Sequence, residues 1–153
     1  MQTIKRMIDH QVWANRQLLT AVRESGGDNP GALRLFRHLA IAEQVWMTRL
    51  NGKSSAHLQI WTDNAELASI EELLAENERS YLAYVEAITE ERLDDNVTYA
   101  NQSGTLFHTS IRDILTHVAL HGQYHRGQIN RALREASGEP AALDFILFSR
   151  LSE

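Results

Sequence analysis

The 153-residue chain has no cysteine. Disulfides, thiolate-bound zinc and a cysteine nucleophile are therefore all excluded, and a reducing compartment fits. It has no excess of basic charge either: 15 Lys and Arg stand against 20 Asp and Glu, for a net charge of −5. That disfavours a nucleic-acid partner, which needs a basic face. No apolar run approaches the ~20 residues of a membrane span. The first residues, Met1-Gln2-Thr3-Ile4-Lys5-Arg6, lack the apolar region of a signal peptide. These absences lead us to expect a soluble, acidic, cytoplasmic protein with neither nucleic acid nor membrane as partner. Prolines are scarce, only Pro30 and Pro140, each beside glycine or acidic turn residues.

What remains is helical patterning over a length that suits a single domain, residues 1–153. Ile4, Met7, Ile8, Val12, Leu18, Leu19 and Val22 recur at helical spacing and predict a helix from Thr3 to Ser25. Gly26-Gly27-Asp28-Asn29-Pro30-Gly31 ends it. A second helix is expected from Ala32 to Asn51, carrying Leu35, Leu39, Ala42, Val45, Trp46 and Leu50. Ser69-Ile70-Glu71-Glu72 has the form of a capping box and predicts a third helix from there to Thr89. Residues 90–107 carry two turn-like clusters, with Val97-Thr98-Tyr99 as a short extended piece between them. Ser110 caps a fourth helix running to Ala136, stopped by Gly138 and Pro140. A short helix or turn covers Asp144 to Leu151. The expected fold is all-α, a four-helix bundle with a short extra C-terminal helix.

The most informative segment lies in the fourth helix: His117-Val118-Ala119-Leu120-His121-Gly122-Gln123-Tyr124-His125-Arg126-Gly127-Gln128. Neutral imidazole is the commonest protein ligand for transition metals. Each four-residue step rises ~6 Å and turns ~40°, so neighbouring histidines can share one ion. His117 and His125, roughly 12 Å apart along the axis, cannot. The gripping pair is His117/His121 or His121/His125. Asp113, one step before His117, could orient it by accepting its N–H. A third ligand must come from another helix. His38, set in an apolar stretch of the second helix, is the first candidate and His10 the next; His57 and His108 fall in predicted loops. For His38 or His10 alone, the ordinary explanation is a hydrogen-bonded core histidine. No histidine has Glu or Asp three residues before it, which argues against a di-iron bundle and for a mononuclear site.

His38-Leu39 with Glu43 and Trp46, then His-x-x-x-His-x-x-x-His-Arg-Gly-Gln, together with Trp13-Ala14-Asn15, resemble the DinB/YfiT-like superfamily of damage-inducible, metal-dependent proteins. The resemblance spans nearly the whole chain. It implies a four-helix bundle, a divalent metal such as zinc or nickel, and a homodimer. It also implies a three-histidine site, carried here by His38, His121 and His125, with His117 and Asp113 as neighbours. The activity it suggests is transfer of a low-molecular-weight thiol to an electrophilic small molecule. Hydrolysis by metal-activated water is the alternative, or a non-catalytic metal- or ligand-binding stress protein. Any thiol must arrive as a cosubstrate, because the chain has none. Glu43 lies ~140° around its helix from His38 and so points away from the ion; we expect it to pair with Arg126. Trp13, Trp46 and Tyr124 are expected to pack in the core or wall a pocket. Gly122 and Gly127 suggest close helix approach or room for a ligand, and Arg126 and Gln128 bundle or dimer contacts.

Overall fold

The computed structural model describes residues 1–151. Four long helices form the bundle: α1 (Gln2–Glu24), α2 (Pro30–Leu50), α3 (Leu67–Ala87) and α4 (Ile111–Glu135). α1 and α2 each pack against both α3 and α4. A short α5 (Phe145–Arg150) leans on α1. No helix among the described residues is long and apolar enough to cross a membrane.

The helix starts show the local chemistry. Asn29 caps α2, its side chain accepting from the Ala32 N–H, with Pro30 in the first turn. Proline is at home there because its missing N–H would have had no helical partner. The helix thus begins two residues before the expected Ala32. Ser110 caps α4 as the sequence indicates, accepting from the Asp113 N–H at 3.0 Å. The third helix is a correction: it starts at Leu67, so Ser69 lies inside its first turn and is not its cap.

The segment before α4 also departs from expectation. Strand β1 (Asn96–Ala100) contains the foreseen extended piece, but it pairs antiparallel with an unforeseen β2 (Leu106–Ser110). The signal was present: Asn101-Gln102-Ser103-Gly104 is a turn cluster flanked on both sides by residues that favour strands. His108 is accordingly on a strand rather than in a loop, exposed and hydrogen-bonded to Thr98. The hairpin lays Tyr99 against Trp46 of α2.

Two apolar cores fill the bundle. One gathers Leu18, Leu33, Phe36, Leu39, Ile70 and Ile129. The other gathers Ile8, Met47, Tyr81, Leu93, Ile114 and Leu115. The buried polar residues Gln11, Asn15, Glu43, Asn77 and Arg126 belong to neither core. Arg126 Nη1 donates to Asn15 Oδ1 at 2.9 Å, and Asn15 Nδ2 donates to Glu43 Oε1 at 2.9 Å. Asn77 Nδ2 donates to Glu43 Oε2 at 3.2 Å and to the Ala40 carbonyl at 2.8 Å. Tyr81 donates to the Glu43 carbonyl at 2.8 Å. The expected Glu43–Arg126 pair is therefore corrected to a relay, with Asn15 standing between the two charges.

Gly122 exists for this network. A Cβ there would lie 3.0 Å from Arg126 Nη1 and 3.2 Å from Nη2. Gly127, by contrast, is exposed and would meet nothing within 4 Å. The same substitution should therefore act with opposite signs. Gly127→Ala should stabilise by about 0.5–1 kcal/mol through helix propensity. Gly122→Ala should destabilise, because displacing a sealed guanidinium outweighs that gain. Urea unfolding midpoints of the two variants provide the measurement.

Candidate metal centre

Two helices build the site. His38 projects from α2, and His121 and His125 from α4, where the four-residue spacing stacks them on one side. His38 Nε2 is 3.2 Å from His125 Nε2, which is 3.1 Å from His121 Nε2. Among the described residues these three form a group whose ligand atoms all lie within 4.8 Å of one another. His38 and His125 are buried and His121 is half-buried.

The tautomers settle what these short separations mean. The Ile60 carbonyl can only accept, so His38 Nδ1 carries the proton, donating across 3.3 Å. His125 Nδ1 donates to Gln128 Oε1 at 2.7 Å. Both Nε2 atoms then carry bare lone pairs, and these face each other. Such an arrangement is repulsive unless a cation or proton lies between. Two nitrogens bound at 2.0–2.1 Å to a tetrahedral ion stand about 3.3–3.4 Å apart, close to what is seen. Anchoring the second ring nitrogen is also what metal-binding histidines require. The donor set therefore fits a divalent ion, which His38, His121 and His125 could hold.

The electrostatics agree. Burial, reinforced by neighbouring imidazoles, pushes His38 and His121 down to about 4. Burial also lowers His125, against the opposing hydrogen bond to Gln128. The rings are thus neutral and able to ligate at neutral pH. Trp61, from the α2–α3 connection, stacks on His38 with centroids 3.7 Å apart and 8° between planes. The Arg34 guanidinium lies 4.7 Å from the Trp61 ring centroid. Neither the Ile60 carbonyl nor Trp61 was anticipated, since a loop carries no periodicity to place it.

The other candidates fall elsewhere. His117 is exposed, its ring centroid 5.4 Å from that of His121 and 5.1 Å from that of Trp46. Asp113 is exposed, and no hydrogen bond joins it to His117 among the described residues. His10 is buried outside the group, its Nε2–H donating to the Leu143 carbonyl at 2.8 Å, among Trp13, Phe145 and Phe148. It is a satisfied core histidine. His57 is exposed in a loop, as expected. Trp13 and Trp46 are half-buried, whereas Tyr124 is 65% exposed, so its expected core role is corrected. Its ring meets the edge of His125 at 5.1 Å. Glu43 faces Asn15 and Asn77, away from the histidines, as its helical angle required.

A three-histidine group between two helices of a four-helix bundle is the class of protein that this geometry defines. The DinB family model matches residues 1–153, and the chain belongs to the DinB family. It is 24% identical over 159 aligned residues to protein DinB of Bacillus subtilis (strain 168), covering 94% of this chain and 91% of that protein. Among solved structures, a DinB-like protein of Bacillus cereus ATCC 10987 superposes with a TM-score of 0.73 at 12% identity, covering 94% of this chain and 97% of that one. A DinB-like protein of Bacillus subtilis gives a TM-score of 0.62 at 15% identity, covering 89% and 95%. These two likenesses concern the fold.

Two predictions follow from the geometry. His121→Ala should abolish stoichiometric metal, whereas His117→Ala should retain it; equal loss in elemental analysis would move the ion one turn toward His117. The second concerns pH in metal-free protein. His38 and His121 titrate lower in the fold than the 6.5 of a free imidazole. Their contribution is present above pH 6.5 and is lost as pH falls toward 4, because only the unfolded chain takes up those protons. Glu43 acts in the opposite sense: burial raises it from 4.5 to about 7. Its contribution is full below pH 4.5 and is lost as pH rises through 7. Glu43→Gln should remove that alkaline loss and leave the acid loss, as read from thermal unfolding across pH 4–8.

Proposed function

We propose that the protein is a metal-dependent enzyme that transfers a small thiol to an electrophilic substrate at a mononuclear site formed by His38, His121 and His125. The observation that carries the reading is the grouping of three Nε2 atoms, with successive separations of 3.1 and 3.2 Å and bare lone pairs on His38 and His125. Zinc or nickel is the metal of this reading, since neutral imidazoles suit both. When bound, the ion supplies the Lewis acidity that makes a thiol or a water nucleophilic near neutral pH.

The chain's own residues supply the rest. Ile60 and Gln128 fix two imidazoles by their Nδ1 protons. Trp61 covers one face of His38. His117 is the nearest imidazole outside the group, and partial desolvation lowers its pKa. In the proposed reaction His117 takes the proton of the cosubstrate thiol. The sulfur then forms a bond to the electrophilic carbon, the leaving group departs with its electron pair, and His117 returns the proton to it. The cosubstrate must bring the sulfur, because the chain has no cysteine. In this reading the protein works in the cytoplasm as a homodimer. The exposed Leu120 and Tyr124, at 61% and 65%, support a partner face on α4.

The test is a screen of thiols against activated electrophiles, with metal content measured first. Turnover that requires both metal and thiol is the expected result. Thiol-independent ester or amide cleavage would replace this reading with a hydrolase, and absence of both with a metal-binding protein that does no chemistry. His117→Ala should lower kcat by about 10²-fold with metal content unchanged.

A further inference from the structure

Arg49 is a buried cation without a buried anion. The residue is 6% exposed. Its Nε donates to Ser55 Oγ at 3.0 Å. Its Cζ lies 4.7 Å from the ring centroid of Trp46 and 4.7 Å from that of Tyr99, so two aromatic rings clamp the guanidinium. No carboxylate of the described residues forms an ion pair with it. Its terminal nitrogens make no hydrogen bond among those residues, yet neither is sealed from solvent. Arg126 shows how the same fold treats a cation that is purely structural: Asn15 accepts from its Nη1, and the Glu43 carboxylate beyond Asn15 offsets its charge.

The aromatic clamp alone does not account for Arg49. A neutral side chain of similar length would fill the space between Trp46 and Tyr99 without the cost of desolvating a charge. A guanidinium held there, with unpartnered terminal nitrogens that solvent still reaches, is preorganised for a planar or tetrahedral oxyanion. Its placement is equally specific. Eleven residues separate it from His38, which brings it back to within ~20° of the same line on α2, ~16 Å along the axis. Side-chain contacts bridge the interval: Arg49 to Trp46, Trp46 to His117, and His117 to His121.

We propose that Arg49 binds a carboxylate or phosphate of a small molecule that lies along the α2–α4 seam, its reacting atom at the three histidines. Capture of the anion stands on the geometry of Arg49 alone; its connection to a reacting atom rests on the proposed metal chemistry. The test uses metal-free, isotope-labelled protein titrated with inorganic phosphate and, separately, with succinate. The readouts are the Arg49 Nε–H and Trp46 indole N–H resonances. The expected result is a saturable shift of both with at least one anion, the tighter one naming the preferred group. Chloride at equal ionic strength should not reproduce it. Arg49→Lys, which keeps the charge and loses the planar fork, should weaken binding on the order of tenfold. Arg49→Met should abolish it. His38→Ala should bind the anion as the parent does, so failure of the metal reading would leave this one standing. Absence of a saturable shift in the parent protein, or equal binding by Arg49→Met, would overturn the proposal.

Discussion

The guanidinium of Arg126 is sealed inside the bundle, and much of the architecture answers to that one buried charge. Burying an ion is tolerable only when its hydrogen bonds and its charge are met. Asn15 from α1 meets part of the first need, accepting from Nη1, and Glu43 from α2 contributes to the second. Asn77 and Tyr81 from α3 bind in turn to Glu43. Every long helix thus contributes to one polar layer, and the layer fixes the rotation of α4. With Arg126 turned into the core, His125 is turned toward the seam with α2, and His121, one turn back, follows it. The interior charge sets the aim of the imidazoles without touching any ion.

At that seam the logic is reversed. The layer joins polar groups of all four long helices by hydrogen bonds, whereas the Nε2 atoms of His38 and His125 face each other with no proton between them. Burial and crowding keep the imidazoles uncharged, and the Nδ1 hydrogen bonds to Ile60 and Gln128 keep their lone pairs pointed inward. Stability is surrendered locally in a group that could hold a metal ion. This is the expected pattern where a fold departs from internal consistency in the service of a site.

The sequence made the long helices and their amphipathic faces legible, because 3.6-residue periodicity survives without tertiary information. Simple helix geometry also showed that His121 must belong to whichever pair binds. It did not choose between His117 and His125, nor between His38 and His10; those choices came from family resemblance, and the structure has grouped the three so chosen. Other features depended on partners distant in sequence. The Ile60 carbonyl and Trp61 sit in a connection with no period. The Glu43–Arg126 relation needed Asn15 between its ends, which no spacing rule supplies. β2 and the true start of α3 are harder to read: β2 is only five residues long and shows itself chiefly through the turn cluster before it, and a well-formed Ser-x-x-Glu lies inside a helix already begun.

His38 and His125 are 87 positions apart in the chain, yet their Nε2 atoms stand 3.2 Å apart. A cation shared between them would tie off a loop comprising more than half the polypeptide. In the chain-entropy picture, a cross-link over that length restricts the unfolded ensemble by about 4–5 kcal/mol. The ion would thus supply what a disulfide supplies elsewhere, in a chain with no sulfur for the purpose, and as a cross-link that a chelator can undo and a fresh ion can restore.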